Sequence, residues 1–220
     1  SVSDKVFDTT TSSFTTTNAS GTVALGNASL ANGTVNTSST FTSVNTTSSF
    51  TNASAGLQTV NLTAALQDTV NYTIVGGSST RVGTNSANIS KANVTITGNG
   101  TVSDKVFDTT TSSAITANAT GTVQLGNAAL ANGAVNASSG YTNLSSSNSS
   151  FTNASAGAQT VNLTVALLGD TVNYTIVGGS STRVVSTSAN ISKANVTITT
   201  NGSVSDKVFD TTTSSFTTTN

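Results

Sequence analysis

The sequence predicts an all-β protein made of tandem β-sandwich domains, arranged like beads on a string. Three observations lead to this prediction: a block of about one hundred residues is repeated, apolar residues alternate with Thr, Ser or Asn, and Gly and Asn interrupt the alternating segments about every ten residues. Proline is absent, and the abundance of Ser and Thr disfavours helices. We therefore expect about seven strands in each repeat.

The repeat is marked by the block Val-Ser-Asp-Lys-Val-Phe-Asp-Thr-Thr-Thr-Ser-Ser, which begins at Val2, Val102 and Val204. This spacing predicts a first sandwich at 1–101, a second at 102–203 and, at 204–220, the first-strand region of a third repeat, truncated or shared. The short third copy leaves two alternatives. Either the chain is a window on a longer array, or the opening strand of each unit completes the sheet of the unit before it.

Period-two alternation locates the strands of the first repeat. They are expected at residues 4–8, 21–26, 28–36, 39–44, 57–66, 69–75 and 87–97. Every second residue of the last three strands is expected to face inward, which gives the set Val60, Leu62, Ala64, Leu66, Val70, Tyr72, Ile74, Ala92, Val94 and Ile96. Ile89 lies on the opposite parity from Ala92, which predicts a bulge or turn at Ser90 and Lys91.

Few side chains are large enough to anchor a core, because only 5% of the chain is aromatic. The expected anchors of the first repeat are Phe7, Phe41, Phe50 and Tyr72; Phe14 is a weaker candidate, since the second copy has Ala114-Ile115 there. The two copies differ in length near residues 145–150 and at 168–169, where Ser, Asn and Gly cluster. Loops are expected at both places, because loops tolerate insertions.

The composition argues against an enzyme. The chain contains no His, Cys or Glu, so the side chains that most often transfer protons, attack substrates or bind metals are missing, and no cofactor is expected. Its eight Asp recur as copies of three sites, Asp4, Asp8 and Asp68. Seven Lys and Arg against eight Asp leave no basic field for nucleic acid. No apolar run approaches the roughly 20 residues of a spanning helix, so no membrane partner is expected for this segment.

A resemblance to a known family is carried by the opening Lys5-Val6-Phe7-Asp8-Thr9-Thr10-Thr11, by Asn71-Tyr72-Thr73-Ile74 and by the segment that starts at Ile89. With these residues, the repeat resembles the YDG-type tandem repeats, which are named for a Lys-x-Tyr-Asp-Gly-Thr-Thr opening. Those repeats occur in large bacterial surface adhesins of the filamentous haemagglutinin type. The resemblance covers the whole repeat in order, although Phe7 replaces the Tyr and Thr9 replaces the Gly of the signature. It implies an immunoglobulin-like or similar β-sandwich that serves as a spacer in a secreted or cell-wall-facing protein.

Acceptor sequences for N-glycosylation, Asn-x-Ser/Thr, are unusually frequent. Of the 24 Asn before Asn220, 21 stand in this frame, the exceptions being Asn85, Asn127 and Asn132. Random placement would give about ten, and outward-facing alternation along strands would raise that number to about fifteen. The remaining excess predicts N-glycosylation of several sites, with bare Asn on strand surfaces as the alternative. The candidates are Asn18, Asn27, Asn36, Asn45, Asn52, Asn61, Asn71, Asn88, Asn93, Asn99, Asn118, Asn136, Asn153, Asn162, Asn173, Asn190, Asn195 and Asn201.

Two further hypotheses concern the charged residues near the junction between repeats. Asp4 and Asp8 stand where some extracellular arrays bind calcium, but solvated strand-end or turn residues are the favoured interpretation, and no metal site is predicted. Lys5 and Lys91 stand beside many Asn, as an isopeptide bond would require, but such a bond also needs a nearby buried acid.

These observations predict a structural repeat segment of an extracellular, cell-surface adhesin stalk or fibre that carries N-linked glycans. Its partners are then neighbouring repeats, or identical subunits of the fibre. Near-identical copies suit a covalent stalk, which needs length rather than a specific site. The alternative is a subunit of a non-covalent extracellular filament, a pilus or thread, that assembles by donor-strand exchange.

Overall fold

The protein is described by a computed structural model that covers residues 1–26, 39–127, 138–200 and 202–216. These residues form strands, turns and bends and include no helix, which confirms the all-β prediction. Accordingly, no helix in these ranges is long and apolar enough to cross a membrane. The strand predicted at 28–36 lies outside the described residues.

The described residues contain sixteen strands. The first repeat contains β1 (Lys5–Val6), β2 (Gly21–Val23), β3 (Ser39–Phe41), β4 (Val44–Phe50), β5 (Gly56–Leu66), β6 (Thr80–Ser90) and β7 (Ala92–Gly98). The rest of the described chain contains β8 (Thr101–Val102), β9 (Lys105–Val106), β10 (Ile115–Ala117), β11 (Thr120–Gln124), β12 (Ser139–Tyr141), β13 (Leu144–Phe151), β14 (Gly157–Leu167), β15 (Tyr174–Ile176) and β16 (Thr182–Ser192).

Each repeat builds the same four-stranded sheet. In the first repeat the strand order is β1-β6-β5-β4, and in the second it is β9-β16-β14-β13. The three long strands of each sheet run antiparallel, and the two-residue strand pairs in parallel at the edge. The second repeat thereby reproduces the topology of the first, as its sequence predicts.

A further four-stranded sheet has the order β12-β11-β7-β15 and combines strands from both repeats. Its β7 strand precedes residue 102, the predicted start of the second sandwich, whereas the other three strands follow it. In the first repeat the counterparts of β11 and β12 pair as the separate ribbon β2-β3, and a similar short ribbon joins β8 and β10. The sheets therefore do not share the boundary of the sequence repeat.

The main hydrophobic core lies between the two four-stranded sheets of the second unit. Side chains of β14 and β16 form one buried cluster with side chains of β7, β11 and β15. Alternation along β14 puts Val161, Leu163, Val165 and Leu167 in this cluster and leaves Asn162 exposed. The inward set predicted for 57–66 is thus confirmed in its second copy, and the arrangement is consistent with a β-sandwich.

Two strand predictions are wrong for a common reason, and the strand expected at 39–44 is wrong as well, because it spans the break between β3 and β4. The strand expected at 87–97 is two strands, β6 and β7, which separate at Lys91 and enter different sheets. Residues 69–75 form a turn-rich segment in which Val70 is exposed, and only their counterparts in the second repeat contain a strand, β15. Alternation marks a segment that suits a sheet, but the pairing partner decides whether a strand forms there.

The predicted core anchors divide into two pairs. Phe7 and Phe50 are buried, whereas Phe41 and Tyr72 are only partly buried and pack against each other with ring centroids 4.8 Å apart. Phe14 is partly buried. Phe41 lies in the two-stranded ribbon β2-β3, whereas its counterpart Tyr141, in the four-stranded sheet, is buried.

Of the two length differences between the copies, one lies at a bulge within a strand and the other at a turn. Near 145–150 the extra residue is a bulge inside β13, between Ser147 and Ser150, where Asn148 has a φ of 48°. The loop expected there is therefore wrong, because a bulge absorbs one residue without ending the strand. At 168–169 the chain does turn, with Gly169 at a φ of 100°.

Candidate functional site

The strand β7 crosses from the first repeat into the second. Val94 of β7 lies opposite Val123 of β11 in an antiparallel pair and opposite Ile176 of β15 in a parallel pair. A further backbone hydrogen bond runs from the Val177 N–H to the Val94 carbonyl at 2.9 Å. Strands of the second repeat therefore hold β7 along both of its edges.

The body of the first repeat packs against the same sheet. The Phe7 ring meets the Tyr174 ring edge-on, with centroids 5.4 Å apart, and Tyr174 packs against Tyr141 at 5.2 Å. The Phe7 carbonyl accepts a hydrogen bond from the Gly126 N–H at 2.9 Å. A side chain at Gly126 would overlap the backbone of Val6, so this close approach requires glycine.

Polar contacts complete the junction. The Asn173 Oδ1 accepts a hydrogen bond from the Ala55 N–H at 2.7 Å, and the Lys91 ammonium donates to the Thr171 carbonyl at 2.7 Å. The Asn173 side chain also donates to Asp170 at 2.8 Å. Burial raises the pKa of Asp170, but hydrogen bonds donated chiefly by Asn173 outweigh burial and leave the pKa below its usual value. Asn173 is thus fixed through both atoms of its amide.

Each repeat begins with a loop wrapped around a lysine. The Lys5 ammonium donates to Asp8 Oδ1 at 2.6 Å and to the carbonyls of Thr10 and Ser12 at 2.7 and 3.0 Å, and it lies 5.2 Å from the centre of the Phe50 ring. In the second copy, the hydrogen bond from Lys105 lowers the pKa of the Asp108 carboxyl to about 2. The ion pair recurs at 2.7 Å in Lys105–Asp108 and at 2.8 Å in Lys207–Asp210.

This lysine loop contains a strained residue in every copy. Thr9, Thr109 and Thr211 have φ values of 67°, 64° and 63°, in the left-handed region that favours glycine. The family that the opening resembles has Gly at this position. The hydrogen bonds around the lysine hold a backbone conformation that a β-branched residue would not adopt by itself.

The first repeat has the same acceptor surface without a strand in it. A cleft of about 320 Å³ is lined by residues that include Gly21, Val23, Tyr72 and Ile74. Their counterparts in the second repeat surround β7, and there Val123 and Ile176 are fully buried, whereas Val23 and Ile74 are only partly buried. Val123 and Ile176 are more buried than Val23 and Ile74 because β7 fills the cleft of the second repeat.

A second copy of the β7 sequence lies unpaired after β16. Residues 194–199 read Ala-Asn-Val-Thr-Ile-Thr, identical to residues 92–97, yet they form no strand, and Val196 and Ile198 are 88% and 78% exposed. The flanking surface is uncovered as well, since Phe107 is 39% exposed and its counterpart Phe7 only 6%. The second repeat therefore leaves open the surfaces that the first repeat buries at the junction.

Comparison of the chain with family models, with curated proteins and with solved structures finds none that is similar. The resemblance to adhesin repeats therefore stays a prediction from the residues that carry it.

Most glycosylation candidates within the described residues are exposed: Asn18, Asn45, Asn52, Asn61, Asn71, Asn88, Asn93, Asn99, Asn118, Asn153, Asn162, Asn190 and Asn195. Asn173 differs, because it is half-buried in the junction. The candidates Asn27, Asn36, Asn136 and Asn201 lie outside the described residues. Exposure alone leaves most candidates accessible to a transferase.

The residues weighed for calcium or isopeptide chemistry have other partners. Asp4 Oδ1 accepts a hydrogen bond from the Asn88 N–H at 2.7 Å, and Asp8 pairs with Lys5. In the described ranges no three or more acidic residues come together in a group that could hold a metal ion. The ammonium of Lys91 is directed at a backbone carbonyl, that of Thr171.

The sequence pointed to several junction residues but not to the contacts that they make between repeats. Phe7 was expected to anchor the core of its own sandwich, whereas it belongs to the first repeat and packs against Tyr174 of the second. The shared strand closes its repeat and enters the following unit, the reverse of the direction expected for strand sharing. The identity of residues 92–97 and 194–199 was the available signal, since both stand directly before a new lysine block.

Proposed function

We propose that this chain is a structural repeat segment of an extracellular, cell-surface adhesin stalk or fibre, built of immunoglobulin-like sandwiches that each take one strand from the repeat before. The observation that carries the proposal is β7, which belongs to the first repeat by sequence and to a sheet of the second by pairing. Neighbouring repeats are then coupled by a sheet rather than by a free linker.

A shared strand suits a fibre under tension. β7 is hydrogen-bonded along both edges and buries Val94, so separating two repeats requires removing a strand from a sheet and exposing its core. A flexible linker would instead extend at low force. This coupling supports a role in holding an adhesive tip at a distance from the cell.

Single-molecule pulling of the chain by its two ends tests this role. We expect residues 92–192 to open in one cooperative event that lengthens the chain by up to about 36 nm, at roughly 3.6 Å per residue. Gradual extension without such an event would contradict the proposal. So would a separation of the repeats that precedes any opening of a sheet.

N-linked glycans are part of the proposed fibre. Only 7% of the residues are charged, and a coat of sugar would hydrate this surface and block pairing between exposed strand edges. The exposed amides of Asn61 and Asn93 support this part of the proposal.

Intact-mass and glycopeptide mass spectrometry on natively sourced protein tests the coat. We expect sugar on Asn61 or Asn93 and none on Asn173, because both amide atoms of Asn173 are used at the junction. A bare polypeptide mass would end the glycan hypothesis and leave the repeat fibre in place. Sugar on Asn173 would contradict the junction itself.

A subunit of a non-covalent extracellular filament is a second candidate function. It is favoured by the exposed copy of the strand at 194–199 and by the unfilled cleft of the first repeat. In such a filament, donor-strand exchange would join separate chains through the contacts that β7 makes within one chain.

A further inference from the structure

We propose that residues 194–199 of one copy of this chain bind as a strand in the cleft of the first unit of a second copy, so that copies join head to tail. The inference rests on the strand sharing proposed above and names its partner, the same chain. Donor and acceptor are both present in each molecule, and such an interface is heterologous, so it propagates rather than closing into a two-fold dimer.

The donor segment matches the acceptor cleft because the same strand sequence is already bound in the equivalent cleft within one chain. Residues 92–97, identical to 194–199, occupy the equivalent cleft of the second unit. The acceptor residues Gly21, Val23 and Ile74 are unchanged in their counterparts Gly121, Val123 and Ile176. A second copy of the chain therefore offers a cleft of the kind in which this sequence is buried as a strand.

The seated strand fixes the register of the proposed complex. Val94 pairs with Val123 and Ile176, so Val196 of one copy is assigned to Val23 and Ile74 of the other. The pairing of Thr95 with Thr122 likewise places Thr197 opposite Thr22.

The surface beside the donor strand supports the same docking. Phe7 packs on Tyr174 and its carbonyl accepts from Gly126, which places Phe107 of the donor copy on Tyr72 of the acceptor and its carbonyl near the Gly26 N–H. In the donor, Val106 and Phe107 are uncovered, whereas Val6 and Phe7 are covered. In the acceptor, Gly26 has open space, whereas at Gly126 a Cβ would overlap the partner backbone.

Two substitutions separate docking from folding. Val196→Asp puts a charge on the donor face of a segment that is exposed in the free chain, so it should not disturb folding. Gly21→Ala adds a Cβ where nothing lies within 4 Å, but at the seated counterpart, Gly121, a Cβ would stand 2.6 Å from the carbonyl oxygen of Thr95. The matched controls are Thr197→Asp, on the outward face of the donor, and Gly140→Ala, at another open position.

Analytical ultracentrifugation of the full chain at rising concentration gives the first readout. We expect species at multiples of 21.8 kDa for the natural sequence and for both controls. Val196→Asp and Gly21→Ala should each weaken association at least tenfold. A chain that stays monomeric at all concentrations overturns the proposal, as does association that both variants retain.

Disulfide trapping gives the register. The natural chain has no Cys, so a Thr22→Cys chain mixed with a Thr197→Cys chain should form a disulfide between positions 22 and 197, since directly opposed strand residues have the required spacing. A mixture in which no disulfide forms between positions 22 and 197 would overturn the proposal. Such failures leave the covalent fibre untouched, because its pulling test depends on β7 inside a single chain.

Discussion

Replacing Val94 by Asp should unfold the second unit while leaving the sheet of the first in place. Val94 is fully buried at the centre of β7, between β11 and β15. Placing a carboxylate there costs several kcal/mol, a large part of the roughly 5–15 kcal/mol that stabilises a typical domain. Hydrogen exchange read by mass spectrometry should show lost protection in β11 and β15 and retained protection in β5.

The chain supplies its own matched control for this experiment. Val196 occupies the equivalent position of the next copy, within an identical six-residue segment, but is 88% exposed. Val196→Asp should therefore leave protection of the second unit unchanged at concentrations where the chain is monomeric. If Val94→Asp were as harmless as Val196→Asp, β7 would not be a required part of the second unit, and strand sharing would fail as an explanation of the fibre.

Replacing lysine by methionine in the three lysine loops should have three different effects on stability. Lys5 and Asp8 are 3% and 8% exposed, and Lys5→Met would leave the buried Asp8 carboxylate without its ion-pair partner, with hydrogen bonds from Thr10 alone, and the carbonyls of Thr10 and Ser12 without the ammonium as donor. Breaking one partner of a buried pair costs about 3–5 kcal/mol. Chemical denaturation followed by circular dichroism should show this loss in the transition of the first unit.

The other two copies provide a graded comparison. The Lys105 and Asp108 side chains are 16% and 47% exposed, so Lys105→Met should destabilise the second unit less than Lys5→Met destabilises the first. Lys207 and Asp210 are 33% and 53% exposed and lie outside any sheet, so Lys207→Met should change neither transition. A double change of Lys5→Met with Asp8→Leu should recover part of the loss, because no buried charge then lacks a partner. Equal losses at Lys5 and Lys207 would contradict the assigned role of burial.

The first two copies of the lysine loop differ in exposure. Asp8 and Phe7 are well buried, while their counterparts Asp108 and Phe107 are exposed, although the two copies share the same twelve-residue block. The groups that cover Phe7 come from the following repeat, which contributes Tyr174 and Gly126. Each junction should therefore stabilise the repeat on its N-terminal side as well as completing the sheet on its C-terminal side.

Local pattern was sufficient to predict part of the fold. The long strand β5 and its copy β14 appear where alternation placed them, with the predicted inward set buried in the second copy, because every second residue of a strand faces the same side. β6 was missed, since its exposed residues between Thr80 and Ser86 carry no apolar alternation. Its pairing with β5 is what makes it a strand.

Part of the candidate site could likewise be predicted from local pattern, and part could not. Phe7 and Phe50 could be named as anchors from their size, and the turn or bulge at Lys91 from the change of parity beside it. The acceptor role of Gly121 and the contact of Phe7 with Tyr174 could not be named, because both depend on residues of different repeats coming together.

The lysine loop is determined by the sequence alone. Its third copy, around Lys207, keeps the hydrogen bonds to Asp210 and Thr212 although no sheet forms there. Partners three to five residues apart meet without help from the rest of the chain. The fate of the sequence Ala-Asn-Val-Thr-Ile-Thr was decided only by tertiary structure, since it is a buried strand at 92–97 and an unpaired, exposed segment at 194–199. A strand has no hydrogen-bonding partners within itself, so its structure depends on whether a neighbouring edge and a cleft are available to receive it.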